Sequence, residues 1–285
     1  MTNKGLFIGL TTLDFIYASE TYPKANQKVV AQDYLTAAGG PATNAAIAFS
    51  SFNNRARLLT VLGQHPITKL IETDLANYPV ELIDLITEKN DSPPVSSIIV
   101  TTTTGERSVI SINAKKDRAK KEQIPQDILD DIDIILIDGH QIEVSSIIAK
   151  SAKEKQIPIV IDGGSWKPGF ETVLPYVDYA ICSANFYPPQ CRNTQDVFNF
   201  LQQQNIDRIA ITQGEKPILY CDCGDFSTIP VPSIDAIDTL GAGDIFHGAF
   251  CHYILQKDFY SALSLAAETA SKSCQSFGTR IWTEK

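Results

Sequence analysis

Positive charge is in short supply in this 285-residue sequence: 24 Lys and Arg stand against 33 Asp and Glu, a formal net charge of −9. A surface that negative speaks against bulk electrostatic capture of a nucleic-acid polymer or an anionic membrane, so an anionic ligand would need a local device. Long apolar runs are missing too. The run at 6–10 is too short for a signal-peptide core, and no stretch reaches the ~18 apolar residues that read as a membrane span. The expectation is a soluble, cytoplasmic protein. None of the 6 cysteines belongs to a Cys-x-x-Cys pair, and all lie in the C-terminal half of a chain too long to need a disulfide scaffold. Cys221 and Cys223, two apart on an expected strand, would share a face but lack the further ligands of a zinc site. There is no internal repeat, and the threonines at 101–104 are too few to make a linker.

The chain does have apolar mass: 44% of residues are hydrophobic, enough for a sizeable core. Runs rich in β-branched residues at 5–10, 56–62, 133–138, 158–162, 179–183 and 208–212 are bounded by Gly, Pro or Asp, as buried parallel strands are. Helix-like segments alternate with them at 41–52, 67–78, 143–155, 194–204, 241–255 and 260–277. This rhythm predicts an α/β fold with a mainly parallel central sheet covered on both faces. Asp138, Asp162, Asn185 and Thr212, at strand ends, would then face the crevice expected at the carboxyl edge. Four further segments, 14–18, 28–37, 94–101 and 106–113, alternate or carry Ser and Thr. A small β-sheet inserted as approximately 14–37 and 94–113 accounts for them, forming a lid on a single domain of 1–285.

The strongest local feature is Asp238-Thr239-Leu240-Gly241-Ala242-Gly243-Asp244, which leads into the helical run Ile245-Phe246-His247-Gly248-Ala249-Phe250. Small residues at 241–243 leave backbone N–H groups uncovered at a helix start, where unpaired donors and the helix dipole can hold a phosphate. That is the local device an acidic protein requires. Asp244, in the first helical turn, stands where a carboxylate could take a proton from an attacking hydroxyl. Two nucleotide-binding alternatives fail. No Gly-x-x-x-x-Gly-Lys-Ser/Thr string occurs, and the Rossmann spacing breaks at Phe246 in a motif far from the first strand.

With Ala38-Gly39-Gly40-Pro41-Ala42-Thr43-Asn44 about 200 residues upstream, in the right order, the chain resembles the ribokinase-like, or PfkB, carbohydrate kinases from Gly5 to roughly Arg280. Within that family, residues 9–17, 105–113, 211–214 and 238–248 look closest to ketohexokinase and sulfofructose kinase. The resemblance implies a three-layer ribokinase-like sandwich with a small β-lid. It also implies an ATP-dependent kinase that transfers the γ-phosphate to a hydroxyl of a ketohexose-like or related sugar, working with Mg²⁺. Asp244 would be the base, and Gly241, Ala242 and Gly243 the anion hole. Asp14, read as ending the first strand, would accept sugar hydroxyl hydrogen bonds; Gly39 and Gly40 would permit close approach, and Asn44, Asn113 and His140 would contact substrate. Asn185, Thr212, Gly214 and Arg107 would lie on the nucleotide, and Asp238 would serve a K⁺ loop in members that have one. A homodimer through the lid strands is a further expectation.

The departures from the pattern are specific. Pro188 stands where many members carry the Glu of Asn-x-x-Glu, and Pro217 replaces the glycine that follows Thr-x-Gly. Gly63-Gln64-His65-Pro66 replaces a Gly-x-Asp stretch. His140 aligns with an Arg that binds sulfonate, which argues against a sulfonated sugar. These changes motivate one alternative: a catalytically reduced, kinase-like sugar or nucleotide sensor or assembly protein. His247 and His252 read as ordinary packing residues, Lys167 as a surface residue and Trp166 as core.

Overall fold

The computed structural model describes residues 2–112 and 118–283. In chain order its strands are β1 (Lys4–Ile8), β2 (Thr12–Ser19), β3 (Asp33–Gly39), β4 (Arg55–Thr60), β5 (Val80–Asp84), β6 (Val95–Thr101), β7 (Arg107–Ser111), β8 (Ile134–Ile137), β9 (Ile159–Gly163), β10 (Tyr179–Ser183), β11 (Arg208–Gln213), β12 (Lys216–Asp222) and β13 (Asp225–Ile229). The helices are α1 (Pro41–Ser50), α2 (Thr68–Leu75), α3 (Ile142–Glu154), α4 (Thr194–Gln203), α5 (Ala242–Ile254) and α6 (Phe259–Ser273).

Nine strands form one sheet in the order β13-β12-β11-β10-β9-β8-β1-β4-β5, parallel from β11 to β5, with β12 and β13 added antiparallel at one edge. The central strands are continuous apolar runs because both their faces are covered. Alternate residues of β1 and β8 point opposite ways. Leu6, Ile8, Ile135 and Ile137 pack with α3 and α4 residues such as Val144, Ile148, Val197 and Phe198, while Phe7, Ile134 and Leu136 pack with α1, α2, α5 and α6. The result is the expected three-layer α/β architecture. The strands outside the six expected parallel runs are at the edges: β5 is only partly buried, and β12, expected only around Cys221, and β13 carry polar residues and Pro217, so none has the apolar signature of a central strand.

A second sheet, in the order β3-β2-β6-β7, stands apart. Its small core of Ile16, Ile98 and Val100 rests on Leu35, Leu240 and Phe277, so it sits beside the loop that leads into α5. The expected inserted lid is present, with two local corrections. Strand β3 begins at Asp33, which leaves 28–32 outside any strand, and Asp14 lies within β2 instead of ending the first strand. The cysteine expectation also changes: β12 ends at Asp222, and Cys223 turns at φ 51°, so Cys221 and Cys223 do not share a strand face.

One close approach positions the chemistry. Gly248 of α5 lies against the Ala45 carbonyl and Ala48 of α1, where an added Cβ would collide. A glycine there lets the two helix starts come together.

Candidate active site

Gly241 takes φ 70° just before α5, and the turn exposes Gly243 while leaving Asp244 half-buried. The Ala242 N–H makes a long bond back to the Thr239 carbonyl at 3.4 Å, and the helix dipole adds to the pull of the first-turn N–H groups on an anion. From α1, Asn44 Nδ2 donates to Asp244 Oδ2 at 2.8 Å, a contact between residues 200 positions apart. Removal from water raises the Asp244 carboxyl, and the nearby Asp162 charge adds to this. The Asn44 bond and the charges of His247 and Arg107 oppose it, and the net effect is a pKa pushed up to about 7. A carboxylate poised there can accept a hydroxyl proton near neutral pH.

Asp14 is buried and faces the same region from the lid. Thr12 Oγ1 donates to its Oδ1 at 2.6 Å. Burial raises its pKa, against the bonds from Thr12 and Ser96 and the charge of Arg280. Gly39 leaves room for it: a Cβ at 39 would collide with the Asp14 carboxylate. The di-glycine turn therefore accommodates the protein's own acid. Gly40, at φ 98°, caps the start of α1.

Other strand-end residues are spent on the scaffold. Asp138 is fully buried and accepts from Leu10 N at 2.8 Å, Ala42 N at 3.3 Å and His140 N at 2.9 Å, tying β1, α1 and β8 together. His140 lies half-buried at this corner. Burial lowers its pKa, the Asp138 and Asp162 charges oppose that, and the Lys167 and Arg118 charges reinforce it. The buried His247 ring lies between the Gly243 carbonyl (2.7 Å) and the Ile181 carbonyl (3.0 Å), 3.7 Å from Asp162 Oδ1. His252 stacks on Phe52 at 4.4 Å, and Trp166 packs against Phe170, Phe186 and Phe200, as core readings require.

Asp238 is buried, and its two carboxylate oxygens accept from Leu240 N and Gly278 N, both at 2.8 Å. It is thus a clamp between the α5 loop and the segment after α6. Burial raises its pKa, opposed by those bonds and by Arg107. Arg107, on β7, donates from Nη1 to the carbonyl and hydroxyl oxygens of Thr239, both at 2.9 Å, latching the lid to the same loop.

Farther along the sheet, Thr212 pairs in register with Ser183, and its hydroxyl donates to the Cys182 carbonyl at 3.3 Å. Gly214, at φ 67°, and Asn185 are exposed beside it. Gln213 Nε2 donates to the carbonyl of Pro217, the residue that replaces the expected glycine, at 2.9 Å, closing the short turn between β11 and β12. Asn113 lies outside the described residues. The structure thus gathers Asp14, Gly39, Gly40, Asn44, Gly241, Ala242, Gly243 and Asp244 on one side, and Asn185, Thr212 and Gly214 on the other.

Sequence reading missed Arg280. It is buried, and Nη1 donates to Asn44 Oδ1 at 3.1 Å while Nη2 donates to Asp74 Oδ2 at 3.2 Å and to the Ala38 carbonyl. No spacing signal marks it, because its partners lie 206 to 242 residues away.

Several known proteins are similar to this chain. The ribokinase of Lactococcus lactis is 24% identical over 288 residues, covering 96% of this chain and 91% of that protein. The deoxyribokinase of Salmonella typhi is 22% identical, covering 96% and 93%. Among solved structures, the ribokinase of Giardia lamblia superposes with a TM-score of 0.82 at 17% identity, covering all of this chain and 97% of that one. Arabidopsis thaliana ribokinase complexed with ribose and ATP gives 0.75 at 19%, covering 98% and 94%. These structural likenesses establish the fold. The model of the pfkB family carbohydrate kinases matches residues 3–285, so this chain, with its lid and its Gly-Ala-Gly-Asp helix start, belongs to that family of kinases.

Proposed function

We propose that the protein transfers the γ-phosphate of ATP to a hydroxyl of a ketohexose-like or related sugar. The observation that carries this reading is Asp244 at the amino end of α5, its carboxyl pushed up to about 7 beside the N–H groups of Gly241, Ala242 and Gly243. In phosphoryl transfer the protein mainly positions and stabilises charge, and here one helix end supplies both a base and an anion site. Asp14 and Asn44 would hold and orient the sugar, whose reacting hydroxyl gives its proton to Asp244. His140 would border the sugar, and Asn185, Thr212 and Gly214 would line the nucleotide.

Mg²⁺ would neutralise charge on the nucleotide's phosphates. Among the described residues no group of three or more His, Cys, Asp or Glu side chains could hold a metal ion. This fits a Mg²⁺ that arrives on the phosphates and keeps most of its waters. Asp238 accepts one backbone N–H bond on each carboxylate oxygen, and each oxygen keeps lone-pair capacity, so a K⁺ held by the Asp238 loop remains part of this reading. Turnover that falls when K⁺ is exchanged for Na⁺ would support it, and unchanged turnover would remove it.

Sugar-dependent ADP release across ketoses, aldoses, nucleosides and sugar phosphates tests the reading. Turnover that Asp244→Asn abolishes supports it, whereas ligand-induced thermal shifts without ADP release would favour the sensor alternative. The exposed lid side chains Tyr34, Val109, Ile110 and Ile112 support a lid-mediated homodimer. Light scattering that finds a monomer at micromolar concentration would sink that part. Among the described residues no helix is long and apolar enough to cross a membrane.

A further inference from the structure

Arg280 connects the two acids of the site without belonging to the substrate-facing set. Its guanidinium donates to Asn44 Oδ1, to Thr279 Oγ1 at 2.8 Å, to the Ala38 carbonyl and to Asp74 Oδ2, and it lies 5.6 Å over the Tyr78 ring. Asp74 also accepts from Ala38 N at 2.9 Å, so α2, the end of β3 and the segment after α6 are fastened at one point.

An asparagine amide has one accepting and one donating end, and a guanidinium only donates. With Oδ1 held by Arg280, Asn44 must turn Nδ2 toward Asp244. Without Arg280 the amide could rotate, and a protonated Asp244 could then donate to Oδ1, an arrangement that stabilises the proton on the base. Arg280 removes that option whatever the protonation state of Asp244. We propose that Arg280 is a positioning residue for catalysis, which locks the Asn44 amide so that the base always faces a donor.

The proposal rests on Asp244 being the base. The charged groups around that carboxyl are Asp162 from β9, His247 from its own helix and Arg107 from β7. Those around Arg280 are Asp74 from α2 and Asp14 from β2. None of these reproduces the constraint on the amide.

The test is the pH dependence of kcat/KM for the sugar in Arg280→Gln and Arg280→Lys, each alone and with Asn44→Ala. Because Nδ2 donation favours the carboxylate, its loss should move the acid limb of Arg280→Gln to higher pH by about one unit. That is about a fivefold deficit at pH 7, recovered at high pH, since a base half-ionised at neutral pH becomes about one-tenth ionised. Arg280→Lys, which keeps a charged donor, should leave the limb close to its wild-type position. In the Asn44→Ala background Arg280→Gln should add little, because both changes remove the same interaction.

A deficit equal at every pH would mean a purely structural role and overturns the proposal, as does a shift that persists undiminished in the Asn44→Ala background. If Arg280→Gln does not fold, Asp74→Asn loosens the guanidinium from its far side and should move the limb in the same direction by less; a folded Asp74→Asn with an unmoved limb contradicts the proposal. Turnover retained by Asp244→Asn would remove the base and this proposal with it, whereas an unmoved limb in Arg280→Gln, with Asp244→Asn inactive, removes only this one.

Discussion

On the Asp244 side of the crevice, polar side chains are held by partners from distant parts of the chain: Asn44 reaches Asp244 across 200 positions, and Arg280 reaches Asn44 across 236. On the Thr212 side the bonds are nearer in sequence, from Thr212 to Cys182, Asn185 to Ser183 and Gln213 to Pro217, and Asn185 and Gly214 are exposed. The first side is pre-organised by the whole fold, which would set the ionisation of the proposed base. The second is an open strand-end surface, which would contribute shape and backbone to the proposed nucleotide site. Damage on the first side should therefore change chemistry and its pH dependence, and damage on the second should change nucleotide affinity alone.

The largest break in that contrast is Asp244→Asn, which should lower kcat by ~10²–10⁴ through loss of a positioned base. It should also stabilise the protein. An acid whose folded pKa is raised from 3.8 to about 7 weakens the fold as pH climbs through that window, so the variant should melt higher than the wild type at pH 8 but not at pH 4. Thermal melts at the two pH values check this.

Next comes Gly39→Ala. The added methyl meets the Asp14 carboxylate, and displacing it should raise the sugar KM by ~10- to 100-fold with the ATP KM unchanged. Steady-state kinetics with each substrate varied in turn would show the split; equal losses for both substrates would blur the comparison.

Arg107→Ala removes the latch from the lid to Thr239 and should lower kcat/KM by about 3- to 10-fold, the scale of losing exposed charge-assisted hydrogen bonds. The smallest effect belongs to the other side. Gly214→Ala faces open space at φ 67°, so only backbone strain of about 1 kcal/mol opposes it, and the ATP KM should rise by about fivefold with sugar kinetics intact.

The central strands, six helices and lid were legible because burial on both faces writes continuous Ile, Leu and Val runs, and a half-covered sheet writes alternation. Strands β5 and β13 escaped, and β12 was legible only around Cys221, because edge strands carry polar residues and Pro without penalty. In the site, Asp244 and the small residues before it were readable because a helix start that holds an anion needs uncovered N–H groups in consecutive positions. Arg280 and Asp74 were not. Their roles exist only after α1, α2 and the segment after α6 meet, and no local spacing foretells that meeting. The latch from Arg107 to Thr239 was hidden for the same reason: strand pattern placed Arg107 on a hairpin but not the direction of its guanidinium.

The most direct test of the account is the pH profile of kcat/KM for whichever sugar the substrate panel identifies, at saturating MgATP. If Asp244 is the base in the surroundings described, activity rises with pH to a plateau, with its midpoint at about 7. A profile that is flat from about pH 5 to pH 8, the behaviour of a carboxylate with the ordinary value of about 4, would contradict it.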